Sequence, residues 1–278
     1  MKILTIATCQ FNISSDIKKN CKTILQQIRI AGKKKSDLVH FPECSLSGYA
    51  GVNFRDLKDQ DEFVLHEALS EVKKAAQKSR VWVIIGCHHF EKDQKKPYNS
   101  LYLIDNQGTI QERYDKRLLT GLYGEEDVIH YEPGSKPVIF NIKGIPCGLL
   151  ICHEWRYPEL YREYHKLGTH IIFQSWYDAG VEKKAYKVSG ESHGSLITGT
   201  VRGNAANNYL WISASNASNG ESAFGSFVVQ PDGVILKKLG RNQPGVLISK
   251  IEPDKIFDDP SSHLRDQVMN RTIQTKRR

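Results

Sequence analysis

An apolar run that ends in three reactive side chains, CGLLICHE, occupies residues 147–154. Its composition predicts a strand buried on both faces, as in a parallel sheet, and the residues from Pro158 to Leu167 then predict a helix. A strand followed by a helix indicates an α/β fold. Cys152 therefore stands at the carboxyl end of a strand, where open α/β sheets bind ligands. There we expect helix-terminal N–H groups to favour its thiolate form.

Two earlier segments share this design. DLVHFPEC at residues 37–44 delivers Glu43 after an apolar run, and RYDKR at residues 113–117 contains Lys116. In isolation each residue has an ordinary explanation: a buried thiol for Cys152, an exposed carboxylate for Glu43 and a solvated charge run for Lys116. Because ligands bind at the carboxyl ends of the strands of a sheet, the three segments together indicate a single pocket.

The rest of the chain continues the alternation of short apolar runs with amphipathic helices. This pattern predicts a mixed sheet, or a pair of sheets, covered by helices in one domain over residues 1–278, with residues 253–278 as a C-terminal arm or tail. The predicted helices are Ile17–Ala31, Leu65–Ser79, Pro158–Leu167 and Ser195–Asn207. The predicted strands are Ile3–Phe11, Leu38–Phe41, Val81–His88, Ser100–Ile104, Val138–Ile142, Cys147–Cys152, Ile171–Ser175, Leu210–Ser215, Gly225–Val229 and Val246–Ile251.

The composition of the 278-residue chain is that of a globular protein, with 40% hydrophobic and 25% charged residues. No apolar run approaches the roughly 20 residues of a membrane-spanning helix, and the N-terminus lacks a signal-peptide pattern, so the sequence predicts a cytoplasmic protein. The formal net charge is +8, but the lysines are scattered in pairs and triplets, which disfavours nucleic-acid binding. The six cysteines lack zinc-ligand spacing, so we expect free thiols and no metal site.

Three segments together resemble the signature blocks of the nitrilase, or carbon–nitrogen hydrolase, superfamily. They are FPECSLSGY at residues 41–49, YDKR at residues 114–117 and GLLICHEWRYPE at residues 148–159. The resemblance extends over about residues 2–252 and implies an α/β fold with a four-layer α-β-β-α sandwich of the nitrilase type. It also implies a Glu-Lys-Cys centre that needs no metal or organic cofactor: Cys152 as nucleophile, Glu43 as general base and Lys116 as the cation that stabilises the tetrahedral intermediate.

The chain also departs from the superfamily pattern. Many members carry a further glutamate between the lysine and the Pro-Gly turn, and here both Glu125 and Glu126 fall in that region, followed by Asp127. The count back from Gly134 favours Glu126, with Glu125 as the alternative. Asn207 stands where members usually have a glutamate near a helix end, which puts pocket-wall packing in doubt rather than the nucleophile. The residues expected to bind substrate are Tyr49, His153, Trp155, Trp176 and Tyr177.

The resemblance favours an amidase-like enzyme that hydrolyses a small acyclic substrate: a free amide, an ω-amide or an N-carbamoyl amine. A nitrile hydrolase is the less favoured enzyme, because the nitrile branch tends to place tryptophan after the cysteine, where this chain has His153. The alternative from another class is a catalytically silent, oligomeric binding protein on the same scaffold. Superfamily members commonly pair their sandwiches, so we expect a homodimer or a higher homo-oligomer whose only other partner is a small-molecule substrate.

Overall fold

Two six-stranded sheets stacked face to face form the centre of the protein, whose computed structural model describes residues 2–121, 127–179, 187 and 191–270. In each sheet three neighbouring strands run parallel, and each of the other strands is antiparallel to the strand it pairs with. The first sheet has the order β12-β1-β2-β3-β4-β5. Its strands are β1 (Leu4–Gln10), β2 (Leu38–His40), β3 (Trp82–His89), β4 (Tyr98–Ile104), β5 (Ile110–Asp115) and β12 (Gly245–Ile251).

The second sheet repeats this arrangement in the order β11-β10-β9-β8-β7-β6. Strands β7, β8 and β9 are its parallel centre, so the carboxyl end of β7 lies beside that of β8. The strands are β6 (Ile139–Ile142), β7 (Ile145–Ile151), β8 (Ile171–Trp176), β9 (Trp211–Asn216), β10 (Phe227–Val229) and β11 (Ile235–Lys238).

Helices cover the outer face of each sheet. Ile24 of α1 (Ile17–Lys33) and Val72 of α2 (Glu62–Ser79) pack in one apolar cluster with β1, β2 and β3. Residues of α4 (Pro158–Lys166) and α5 (Glu191–Asn208) pack with the second sheet. The order helix, sheet, sheet, helix confirms the predicted four-layer α-β-β-α sandwich. Two further helices are α3 (Asp127–His130) and α6 (Ser262–Asn270).

A buried polar bridge joins the facing sheets beside the apolar core. The two ring nitrogens of His40 on β2 each lie 2.9 Å from a serine hydroxyl of the second sheet, that of Ser213 and that of Ser175. Burial lowers the pKa of His40 to about 3, so the bridge is uncharged. The Ser175 hydroxyl also donates to the carbonyl of Phe41 at 2.8 Å. The bridge thus fixes the second sheet against the end of β2, three residues before Glu43.

The sequence missed four of these elements: β5, β11 and the helices α3 and α6. Strands β5 and β11 were not predicted because both are rich in charged or exposed residues, as edge strands of a sheet often are. Helix α6 lies in the segment predicted to be an arm or tail. The preceding residues pack back on the domain, since Phe257 meets Trp211 edge to face at 5.4 Å and its amide donates to the Tyr209 hydroxyl. Among the described helices, none is long and apolar enough to span a membrane.

Candidate active site

Glu43 lies on the segment that leaves the carboxyl end of β2, and its side chain is fully buried. The segment packs tightly over β3 at Gly86, where a Cβ atom would come within 2.5 Å of the carbonyl oxygen of Pro42. Three donors hold the Glu43 carboxylate: Asn99 Nδ2 and Lys116 Nζ at 2.8 Å from Oε1, and the amide of Tyr177 at 2.9 Å from Oε2. The sequence prediction that Glu43 enters a common site with Lys116 agrees with this geometry.

Lys116 follows β5 directly and is also fully buried. Its ammonium group donates to Glu43 at 2.8 Å, to Asp127 Oδ2 at 2.5 Å and to the Thr120 hydroxyl at 3.2 Å. Burial alone would lower the pKa of Lys116, but the charges of Asp127 and Glu43 outweigh it and raise that pKa. Lys116 is therefore a fixed positive charge and not a proton donor or acceptor at neutral pH.

Asp127 is a site residue that the sequence reasoning passed over. It begins α3, and its carboxylate accepts from Lys116 Nζ, from the Tyr49 hydroxyl at 2.5 Å and from the Thr120 amide at 3.0 Å. The two candidates for this position, Glu125 and Glu126, lie outside the described residues. The signal that could have found Asp127 is its place in the same acidic run, immediately after them.

The two carboxylates that share Lys116 differ in their titration. Burial has the largest effect on the pKa of Glu43. Together with the repulsion of Asp127 it outweighs the charge of Lys116, so the pKa of Glu43 is raised. Burial would raise the pKa of Asp127 too, but the charge of Lys116 and the hydrogen bonds from Lys116 and Tyr49 lower it. A proton added to this pair therefore goes to Glu43, while Asp127 stays ionised.

Cys152 directly follows β7 and is the first residue of a 3-10 helix over Cys152–Arg156. Its φ angle is +40°, in a region that non-glycine residues rarely adopt and that is found at strained functional sites. The side chain is partly exposed to a cleft. Burial and the charge of Glu43 raise the pKa of the thiol, and Lys116 only partly opposes them. The expectation that helix-terminal N–H groups favour the thiolate is therefore wrong for the resting site: desolvation keeps Cys152 protonated.

Glu154 connects the cysteine turn to the lysine loop. Its fully buried carboxylate accepts from the amide of Ile151 at 2.6 Å, from the Tyr114 hydroxyl at 2.7 Å and from the amides of Arg117 and Leu118 at 2.8 and 3.3 Å. These donors lie immediately beside Cys152 on one side and Lys116 on the other. A single carboxylate thereby connects the backbone beside Cys152 to the backbone beside Lys116.

A cleft of about 1290 Å³ opens in front of this cluster. Four of the five residues predicted to bind substrate contribute to its wall, namely Tyr49, His153, Trp155 and Tyr177. Trp176 does not: it is fully buried and meets Phe224 edge to face at 5.5 Å. The cleft prediction therefore fails for Trp176, because successive residues of a strand point to opposite faces. Among the described residues, no group of three His, Cys, Asp or Glu side chains is arranged to hold a metal ion.

The chain is similar to amidases along most of its length. It is 27% identical over 256 residues to a 2-oxoglutaramate amidase of Bacillus subtilis (strain 168), covering 89% of this chain and 90% of the relative. It is 27% identical over 254 residues to an omega-amidase of Bos taurus, covering 87% of each. An N-carbamoylputrescine amidase of Solanum tuberosum is 23% identical over 274 residues, covering 92% of this chain and 88% of the relative.

A solved structure has the same fold. It is a mutant of the amidase from Nesterenkonia AN1, a member of the nitrilase superfamily, and it matches with a TM-score of 0.78 and 20% identity over 96% of this chain and 95% of the other. The family model for carbon-nitrogen hydrolases matches residues 5–258, which run from the second residue of β1 to beyond β12 and include every residue of the buried cluster. The chain therefore belongs to the carbon–nitrogen hydrolase family.

Proposed function

We propose that this carbon–nitrogen hydrolase cleaves the C–N bond of a small amide, ω-amide or N-carbamoyl amine through an acyl-enzyme on Cys152. Glu43 acts as the general base and Lys116 as the cation that stabilises the oxyanion. The observation that carries the proposal is the buried cluster of Lys116 with Glu43 and Asp127, placed close enough to Cys152 for its charges to act on the thiol. A fixed cation beside a titratable carboxylate is what acyl transfer from a protonated thiol requires.

In the acylation half of the reaction, the thiol proton of Cys152 moves to Glu43 while the sulfur attacks the carbonyl carbon. The carbonyl oxygen takes up the negative charge, which the ammonium of Lys116 stabilises. When this tetrahedral intermediate collapses, the C–N bond breaks and Glu43 returns the proton to the nitrogen. Ammonia or an amine leaves, and the acyl group remains on sulfur as a thioester.

In the deacylation half, Glu43 removes a proton from water and the hydroxyl attacks the thioester carbonyl. The second tetrahedral intermediate collapses with cleavage of the C–S bond, and the sulfur takes its proton back from Glu43. The sum is one amide and one water converted to one acid and one ammonia or amine. Because the resting thiol is protonated, Glu43 has to act as base within the reaction step itself.

The similarity to several amidases supports this proposal. In one structure of the Nesterenkonia enzyme, the acetamide moiety of fluoroacetamide is covalently added at the active-site cysteine of that protein. Burying a lysine between two carboxylates costs free energy. A catalytically silent binding protein on the same scaffold would gain nothing from this cost.

The test is ammonia release over a panel of amides, ω-amides, carbamoyl amines and nitriles, followed by mass spectrometry of acid-quenched enzyme. The wild type is expected to release ammonia and to show a substrate-derived mass increment on the peptide that carries Cys152. Cys152→Ala should show neither. The matched control is Cys147→Ala, which replaces a fully buried cysteine of β7, the strand that directly precedes Cys152, and should retain turnover. A folded Cys152→Ala enzyme that turns over at the wild-type rate would contradict the nucleophile assignment.

We propose in addition that the protein forms a homodimer through its C-terminal region. Leu264 and Val268 are four residues apart on α6, so they share one face of the helix, and both are about half exposed. Exposed apolar side chains on one face are typical of contact surfaces. A molar mass near 31.6 kDa by light scattering at micromolar concentration would contradict this proposal. The cytoplasmic location stays a prediction.

A further inference from the structure

His88 on β3 is a buried histidine that takes no part in the proposed reaction, but side chains connect it to one wall of the cleft. We infer that His88 is a positioning residue: it holds the backbone of residues 47–50, and with it the cleft wall from Tyr49 to Val52, in the shape that binds substrate. The expected effect on turnover rests on the proposed amidase function, whereas the expected effect on the backbone does not.

Two side chains connect His88 to this segment. On one side, the Tyr131 hydroxyl lies 2.8 Å from His88 Nε2 and accepts a hydrogen bond from the amide of Ala50 at 3.1 Å. On the other side, Gln60 Oε1 lies 2.5 Å from His88 Nδ1, and Gln60 Nε2 donates to the carbonyl of Ser47 at 2.7 Å. These contacts, the His88 network, join two backbone groups that are three residues apart.

The carbonyl of Ser47 sets the direction of the hydrogen bonds in the His88 network. A carbonyl can only accept, so the NH2 group of Gln60 faces Ser47 and its oxygen faces His88. Nδ1 of His88 must then carry the ring proton and donate to that oxygen. Burial lowers the pKa of His88 to about 3, so the ring is neutral and Nε2 accepts from the Tyr131 hydroxyl. Loss of any member therefore leaves a buried polar group without its partner.

The segment that the His88 network holds needs anchors of this kind. Residues 49–52 all line the cleft, and the ring of Tyr131 stacks on that of Tyr49 with centroids 6.2 Å apart. Gly48 and Gly51 both have φ angles in the left-handed region, +76° and +78°. Because glycine restricts its own backbone least, the shape of this wall depends on contacts from outside the segment.

The reactive groups are held by other contacts. The Glu43 carboxylate accepts from Asn99 and Lys116. The ammonium of Lys116 also donates to Asp127 and to the Thr120 hydroxyl. None of these hydrogen bonds includes a member of the His88 network. Loss of the network should therefore weaken the binding of substrate more than the chemical step, which means that KM rises more than kcat falls.

The test combines steady-state ammonia release on the best amide of the panel with hydrogen exchange measured by mass spectrometry. Tyr131→Phe keeps the ring but removes the hydroxyl that holds Ala50. It should raise KM about tenfold, the effect of one lost hydrogen bond, while kcat changes less than about threefold. The peptide that contains Ala50 should exchange at least about tenfold faster, with no change in β9. His88→Leu should have at least the same effects, and His88→Gln should be intermediate, because the glutamine oxygen can accept from Tyr131.

The control is His89→Gln, which changes the next residue of β3. Nδ1 of His89 lies 2.5 Å from the Tyr102 hydroxyl, outside the His88 network, so KM and the exchange at Ala50 should stay unchanged. Either an unchanged KM or an unchanged exchange at Ala50 in Tyr131→Phe would overturn the inference. Equally faster exchange in β9 would also overturn it, because the hydroxyl would then serve general stability.

The two readouts separate this inference from the proposed function. If the wild type releases no ammonia from any amide of the panel, the proposed function fails, and the effect on KM fails with it. The exchange at Ala50 still decides whether His88 and Tyr131 hold the cleft wall. If ammonia is released and Tyr131→Phe lowers kcat at an unchanged KM, the amidase proposal stands and the role of His88 in substrate binding is refuted.

Discussion

Replacing Glu154 by glutamine should separate the alignment of the site from its chemistry. Glu154 does not line the cleft and takes no part in the proposed reaction, but its carboxylate joins the amide before Cys152 to the amides after Lys116. Glutamine keeps the shape and replaces one oxygen by an NH2 group. In either orientation of the glutamine amide, the new NH2 group faces a backbone N–H donor that has lost its acceptor.

The size of the effect follows from the hydrogen bonds. With the glutamine oxygen toward Tyr114 and Arg117, only the amide of Ile151 and the new NH2 group are left without partners. Each buried unsatisfied group costs about 1–3 kcal/mol. Burial raises the pKa of Glu154, so part of this cost is offset because glutamine carries no charge to desolvate. We expect a loss of about 2–3 kcal/mol in the free energy of unfolding, which a domain of about 5–15 kcal/mol tolerates.

The assay is urea unfolding together with steady-state ammonia release at a temperature where both proteins are folded. A small displacement of Cys152 from Lys116 should lower kcat by about 10- to 100-fold, with a smaller change in KM. The control is Glu163→Gln, which removes a partly exposed ion pair to Arg117 and should cost at most about 1 kcal/mol and little activity. A Glu154→Gln enzyme that loses stability but keeps the wild-type kcat would refute the positioning role.

Three further predictions concern the buried carboxylates. Gly86→Ala should lower the midpoint of thermal unfolding and reduce kcat at least about tenfold, because the new Cβ atom overlaps the backbone that carries Glu43. The control is Gly199→Ala, which has open space around the new atom and should leave the midpoint unchanged or raise it. In a pH–rate profile, kcat/KM should fall with decreasing pH through the raised pKa of Glu43, and a limb within the ordinary glutamate range would contradict its role as base. Asp127→Asn should depress kcat about a hundredfold, more than Glu126→Gln, and the reverse order in ammonia release would restore the sequence assignment.

The sequence indicated that the three candidate reactive residues lie in one site, but it did not predict their surroundings, and the difference has a physical reason. Glu43, Lys116 and Cys152 each follow a strand within a few residues, so local chain direction brings them to one edge once the sheets form. The position of Asp127 depends on the path of the loop before α3 and not on a helix or strand periodicity. Counting residues along the sequence therefore did not identify it. Trp176 shows a second limit: β8 is buried on both faces, and alternation of burial cannot tell which face looks toward the cleft.

The pairing of the strands was beyond sequence reasoning as well. β12 joins the first sheet beside β1, with Leu4 opposite Ile251, and no local pattern encodes a contact over such a separation. The bridge of His40 to the second sheet was equally hidden, since a histidine inside an apolar run gives no sign of its partners. The four-layer architecture came instead from the resemblance of the signature blocks, which carry the fold of the whole superfamily.

Glu43 and Asp127 both bind Lys116, but the pKa of Glu43 is raised and that of Asp127 is lowered. This difference leads to a sharper test of Asp127. Asp127 stays ionised and repels charge on Glu43, which contributes to the raised pKa of Glu43. Asn at this position would remove that repulsion and leave Glu43 as the main counter-ion of Lys116, so the pKa of Glu43 should fall. The acid limb of kcat/KM in Asp127→Asn should therefore move to lower pH while the plateau rate drops, since a weaker base removes the thiol proton less readily. A limb that stays at the wild-type position would show that Asp127 holds Lys116 in place without setting the basicity of Glu43.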